Sequence, residues 1–380
     1  NVDPDASEAL YWPTLRYALA LETLGQVDAA HRHFTQAIRI SENHFGPFNP
    51  DLVEALTGHG RTLIAQGRYE EAETSLLQAQ SITHRNAGVF TTEQIIILRH
   101  LSQAYTAQGK LIAADKVQRL ALAVFEDTYG DTPELVPALQ DWAKWNARLS
   151  RFAKVSDSLN KALEILEQAY GPNDMRLVET LDLIVKLYRF HPSRGNAVDG
   201  QRALRRIAKI YANQPYVDQA DLLKARTRIG DWYMLAQANT HAIAQYSRVI
   251  EQSVQDNVDQ QLIDDFFGDP KMLFVDRSRR EFWGKKISGA TIDPGYLIVQ
   301  YDVRKNGRTA NFRVVEDTMN NPAMSKAALA KVESAIFRPR FENGKPVDTQ
   351  GLRILFEIKP GGKGLEFGSR FVDKETQTNR

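Results

Sequence analysis

The sequence predicts a mainly α protein: an α-solenoid of about six helix pairs, followed by a small α+β module of order ββαβ. Three observations carry this prediction. A 42-residue repeat runs through the first part of the chain. Near residue 262 the hydrophobic period changes from helical to alternating, and the net charge moves from −4 over 1–262 to +4 over 263–360. The 380 residues are 43% hydrophobic and 25% charged, the composition of a folded protein and not of a disordered one. The expected division is a solenoid over 1–262, the α+β module over 263–360 and a flexible tail over 361–380.

The repeat is read on Gly25-x-Val27-x-x-Ala30-x-x-x-Phe34-x-x-Ala37. It recurs as Gly67, Tyr69, Ala72, Leu76 and Ala79, then as Gly109, Leu111, Ala114, Gln118 and Ala121. A fourth copy opens one residue early, with Ser150, Phe152, Val155, Leu159 and Ala162, and a looser last copy has Gln237, Ala242, Tyr246 and Val249. A further helix pair over about 176–190 and 199–213 fits between them, around an enlarged turn at 191–195. Each copy reads as two amphipathic helices. The glycine reverses the backbone, the alanine lets the helices approach, and the large residue one turn later fills the space between them.

This pattern resembles the tetratricopeptide repeat, whose first helix carries W-x2-L-G-x2-Y and whose second carries A-x3-F. The first-helix matches are Leu56, Gly60 and Leu63, then Leu98, Leu101 and Tyr105, then Leu139, Trp142 and Ala143, and last Ile229, Gly230 and Tyr233. The loops Phe45-Gly46-Pro47-x-Asn49-Pro50-Asp51, Tyr129-Gly130-Asp131-Thr132-Pro133-Glu134 and Tyr170-Gly171-Pro172-Asn173-Asp174 add to it. With the 42-residue period, they resemble the kinesin light chain subtype. The resemblance implies a right-handed solenoid that binds proteins or peptides along the outward face of its first helices. Counted from the repeat register, that face carries Arg61, Arg99, Gln103, Gln140, Lys144, Arg148, Arg189 and Lys224. The set is basic on an acidic domain, which suits an acidic or carboxylate-ended peptide, because arginine grips carboxylates bidentately. The alternative is a solvated face paired to neighbouring Asp and Glu.

The second part is read as strand 296–303, a turn at Asn306-Gly307, a returning strand over 310–315, and a helix capped by Asn321 with Pro322 at its first position. The helix face is Met324, Ala328, Leu329, Val332 and Ile336, and the last strand, 352–358, alternates inward and outward residues. Gly295, Asn306-Gly307-Arg308, Ala327-Ala328-Leu329, Phe337-Arg338-Pro339, Gly344-Lys345-Pro346-Val347 and Ile354-Leu355-Phe356 follow in order. Together they resemble the C-terminal domain of the TonB energy-transducer family. The resemblance implies a binding module of the Gram-negative envelope whose last strand, at Arg353, Ile354, Leu355, Phe356 and Glu357, accepts an extended peptide from an outer-membrane partner by β-augmentation. The other reading of that strand is one whose edge is shielded by the tail, by 268–290 or by a second copy of the chain.

The search for chemistry excludes more than it finds. Cysteine is absent, so thiol catalysis, disulfides and cysteine metal sites are excluded. No apolar run approaches the roughly 20 residues of a membrane span. The overall charge of +1 gives no sign of nucleic acid as a partner. His31 and His33 point to different faces of one helix, His59 takes a repeat core position, and no metal or other cofactor is expected. Neither a phosphate loop nor a Gly-x-Ser-x-Gly elbow occurs. Arg279-Arg280-Glu281-Phe282-Trp283 alternates basic and aromatic residues and reads as an amphipathic packing segment. The expected function is a non-enzymatic, periplasmic adaptor for proteins or peptides, outer-membrane receptors among them. Two alternatives stand beside it: an energy-transducing protein anchored by a segment upstream of Asn1, and an envelope hydrolase. Partner identity and oligomeric state are not read from the sequence.

Overall fold

The computed structural model describes residues 8–89, 91–189, 194–274, 295–318, 320–358 and 366–371. The chain forms two compact units, 1–180 and 181–380.

The first unit consists of antiparallel helix pairs: α1 (Tyr11–Thr23) with α2 (Val27–Phe45), α3 (Leu52–Ala65) with α4 (Tyr69–Ala87), α5 (Glu93–Ala107) with α6 (Leu111–Tyr129), and α7 (Val136–Arg148) with α8 (Phe152–Tyr170). The turn glycines Gly25, Gly67 and Gly109 hold φ of 73°, 76° and 75°, the left-handed region that glycine enters without a Cβ clash. Ser150 keeps that conformation at φ 56°, so the fourth turn survives without glycine. Ala30, Phe34 and Ala37, and likewise Ala72, Leu76 and Ala79, are fully buried between the helices of their pairs. A Cβ on Gly60 would stand 2.6 Å from Leu76 Cγ, which explains the small residue there. The third copy departs from this packing. Gln118 is only half-buried and donates from Nε2 to Ser102 Oγ at 2.8 Å.

α9 (Leu177–Arg189) carries the chain into the second unit, followed by α10 (Arg194–Ala212), α11 (Gln219–Leu235), α12 (Asn239–Gln255) and α13 (Gln260–Phe267). α10 starts earlier than the expected 199; residues 190–193 lie outside the described part of the chain. Then come β1 (Lys271–Phe274), β2 (Gly295–Val303), β3 (Thr309–Asp317), α14 (Pro322–Ser334), β4 (Ile336–Arg338), β5 (Arg340–Glu342), β6 (Lys345–Val347), β7 (Thr349–Ile358) and β8 (Glu366–Phe371). The ββαβ core is β2-β3-α14-β7. Asn321 caps α14 as expected, its Oδ1 accepting from the amides of Ala323 at 3.1 Å and Met324 at 3.4 Å. Met324, Ala328 and Val332 close over Leu297, Val299, Tyr301, Ile354 and Phe356 to make the module's core.

The structure corrects the reading of the module in three places. Ile336, expected on the helix, begins β4, because α14 ends at Ser334. Within the tail expected to be flexible, residues 366–371 form β8. The main sheet runs β3-β2-β7-β8, so β7 is not an edge: Ile354, Phe356 and Glu357 pair with Phe371, Phe367 and Glu366 on one side, and the strand pairs with β2 on the other. Among the described residues, the outer strands of this sheet are β3 and β8.

Within the second unit the module is built onto the last helices. Ile336 and Phe341 join Leu223, Tyr246, Val249, Ile263 and Phe267 in one core. Strand alternation explains how β4 serves both sides: Phe337 enters the module's core, while Ile336 and Arg338 turn to the helices. Arg338, 3% exposed, donates from Nε and Nη2 to the two carboxylate oxygens of Asp231 at 3.0 and 2.8 Å and from Nη1 to the Phe266 carbonyl at 2.8 Å. Tyr246 donates to the same Asp231 at 2.8 Å. The two tight turns also rest on helices: Asn239 Nδ2 donates to the Asn306 carbonyl at 3.2 Å, and Ser247 Oγ to the Gly344 carbonyl at 2.9 Å.

Candidate partner-binding groove

An open groove of about 610 Å³ lies in the first unit between α5, α6 and α7. It exists because α6 and α7 pack more sparsely than α2 with α3 or α4 with α5. The polar side chain of Gln118, standing where other copies place Phe34, Leu76 and Leu159, lines this opening. The floor is apolar, formed by Ile95 of α5 and by Leu122 and Phe125 of α6, the last two left half-buried.

Four of the eight residues expected on the groove face converge here. Arg99 and Gln103 come from α5, and Lys144 and Arg148 from α7; all four are exposed and line the groove. Arg99 and Arg148 have no carboxylate partner among the described residues, whereas Lys144 pairs with Asp141 at 2.9 Å. Asp141 is the one acidic side chain in the described lining. Trp145, also in the lining, is tied to a buried charge cluster. Asp115, buried at 8% exposure, accepts from Trp145 Nε1 at 2.9 Å and from Arg151 at 2.7 Å, and it pairs with Arg119 at 2.9 Å. Hydrogen bonds from Trp145 and Arg151 and the charges of Arg151 and Arg119 hold its carboxyl below the ordinary range against the desolvation that raises it.

The other four lie elsewhere. Arg61 is bound in a bidentate pair with Glu22 of α1, at 2.7 and 2.5 Å, so it ties two repeats together. Gln140 is buried and donates to Thr180 Oγ1 at 3.0 Å. Arg189 donates to the Leu273 carbonyl at 2.9 Å, and Lys224 is exposed on α11. The apolar floor was not anticipated from the sequence. Its signal was Gln118, a polar residue at a packing position of the repeat.

Histidine side chains are used for packing. His31 stacks on His59 with ring centroids 4.7 Å apart, and His33 meets Tyr17 edge-on at 4.8 Å. Among the described residues no group of three His, Asp or Glu is arranged to hold a metal ion. No described helix is long and apolar enough to cross a membrane. The Arg279-Arg280-Glu281-Phe282-Trp283 segment lies outside the described residues.

Comparison with known families agrees with this architecture. Residues 8–83 and 96–134 match two family models described as tetratricopeptide repeat, and residues 293–358 match one described as Gram-negative bacterial TonB protein C-terminal. The chain thus matches tetratricopeptide repeats in two stretches and a TonB-type C-terminal module in a third, a combination that supports a role in protein interaction. Among solved structures, nearly identical TPR-like repeats of a kinesin light chain type from Podosopora anserina align at 16% identity with TM-score 0.48, covering 57% of this chain and all of that one. BtubC from P. vanneervenii aligns at 20% identity with TM-score 0.43, over 63% of this chain and 94% of that one. A tetratricopeptide repeat protein from Parabacteroides merdae aligns at 21% identity with TM-score 0.41, over 63% and 79%. No curated protein matches the sequence.

Proposed function

We propose that this protein is a non-enzymatic adaptor of the Gram-negative envelope that holds an acidic segment of a partner protein in the groove between α5, α6 and α7. The observation that carries the reading is the pair Arg99 and Arg148, exposed on the groove and without carboxylate partners among the described residues. An extended segment would place its carboxylates on these guanidiniums, where charge-assisted bidentate bonds form, and an apolar side chain on Ile95, Leu122 and Phe125. The TonB-type match supports the envelope placement and a second, strand-built surface for another partner. Because β8 covers β7, partner pairing at Arg353, Ile354, Leu355, Phe356 and Glu357 requires that β8 be displaced, while the outer edge of β3 is unpaired among the described residues.

The test is Arg99→Glu combined with Arg148→Glu in the full chain. Fluorescence anisotropy with a labelled Gly-Ser-Asp-Phe-Glu-Leu-Glu peptide should show binding that salt weakens and that the double variant reduces by tenfold or more, about 1.4 kcal/mol. Both side chains are exposed, so the unfolding midpoint should move by less than about 0.5 kcal/mol per substitution. Unchanged affinity in the folded double variant removes the groove as the site.

A further inference from the structure

The second unit contains a cleft of opposite character. It measures about 490 Å³ and lies between α12, α13 and the β5–β6 hairpin. Its floor is apolar: Ile250, Ile263, Phe267 and Phe341 are buried beneath it, and Val254 stands 56% exposed at its mouth. Its rim is acidic. Glu251 of α12 and Asp264 of α13 are exposed, and neither has a cationic partner among the described residues. Among the described residues the carboxylate of Asp264 accepts a neutral hydrogen bond, from Gln260 Nε2 at 2.8 Å. No lysine or arginine is in the described lining. The third wall is the turn Asn343-Gly344, which adopts left-handed φ at both positions and is pinned to α12 by Ser247.

We propose that this cleft docks a short basic and apolar segment of a partner protein. An apolar side chain would cover Val254 and the floor, and a lysine or arginine next to it would lie between Glu251 and Asp264. Charge decides the occupant. Two unneutralised carboxylates beside an apolar surface repel the acidic segment that suits the first unit's groove and attract a cationic one. The apolar contact supplies affinity, since exposed ion pairs alone contribute little, and the carboxylates supply selectivity. The cleft requires the hairpin to be seated on the last helices, so a repeat array without the strand module would lack it. It is also independent of the acidic-segment reading, because no residue is shared.

The experiment uses the full chain and a fluorescein-labelled Gly-Ser-Arg-Phe-Arg-Leu-Gly-Ser peptide, followed by anisotropy. The expected result is binding that salt weakens, that Glu251→Lys with Asp264→Lys reduces by roughly tenfold or more, and that Val254→Asn also reduces. Arg99→Glu with Arg148→Glu should leave this binding unchanged. Val254→Asn is a single exposed, uncharged change that keeps the test valid if the charge-reversed variant folds poorly. Absence of binding overturns the proposal. So does wild-type affinity in Val254→Asn and in the charge-reversed variant, or a loss confined to the Arg99 and Arg148 variant.

Discussion

At the scale of single residues, the stacked pair His31 and His59 shows how a repeat protein acquires pH sensitivity from packing alone. A 2.8 Å hydrogen bond joins His59 Nδ1 to Ser75 Oγ, and Arg68, itself paired with Glu71, stands 3.3 Å from His31 Nε2. Burial, then the neighbouring His31 and Arg68, push the His59 pKa down to about 4 from an ordinary 6.5, against an opposing pull from Glu71. His31 is lowered as well, by burial and Arg68, with Arg32 adding to the effect and Glu71 and Asp28 opposing it. The folded state therefore binds fewer protons than the unfolded chain between pH 6.5 and 4. Stability from this pair is complete above about pH 6.5 and is lost as pH falls through that window, with a slope of at most about 1.4 kcal/mol per pH unit for one proton. Urea midpoints measured from pH 7 to 5 should fall, and His59→Gln should flatten the fall; equal slopes in the two proteins would contradict it. The turn positions were legible in sequence, because glycine at a fixed period has a backbone reason. The histidine pair was not, because His31 and His59 belong to different repeats and meet only through tertiary packing.

Among the elements, β4 matters most, because one three-residue strand stabilises two cores. Its alternation sends Phe337 into the module and Arg338 to Asp231, so the buried ion pair joins strand and helix. Arg338→Ala strands the carboxylate of Asp231 beside the Tyr246 hydroxyl and should cost about 3–5 kcal/mol in thermal or urea unfolding. Arg338→Met combined with Asp231→Leu should recover most of that loss, since replacing both partners leaves no unpaired charge. A single variant as stable as the parent would show that the pair contributes nothing. β2, β3, β7, the Asn321 cap and the helix face up to Val332 were readable because each has a local signature. Two features were not. β8 lies in a glycine-rich, polar tail whose composition reads as flexible, so shielding of the β7 edge by the tail stood only as one of two open readings. Arg338 sits in Phe337-Arg338-Pro339 with nothing local to reveal a partner more than a hundred residues upstream.

For the whole molecule, the fold class was legible from period alone, and the proposed binding groove lies where the period fails. The regular copies pack Phe34, Leu76 and Leu159 between their helices; the third copy has Gln118 there, bonded to Ser102 and lining the groove along which Arg99, Gln103, Lys144 and Arg148 stand. Repeat register placed these four on one face, and they line one groove. Arg61, Gln140 and Arg189 are instead engaged with Glu22, Thr180 and Leu273, through contacts that no register contains. The central claim is that the protein holds partner segments in this groove. Hydrogen exchange on the full chain, with and without the Gly-Ser-Asp-Phe-Glu-Leu-Glu peptide, tests it most directly. Slowed exchange concentrated in residues 95–107, 118–125 and 138–148 is the predicted result, and slowed exchange confined to other segments, or none at saturating peptide, would contradict it.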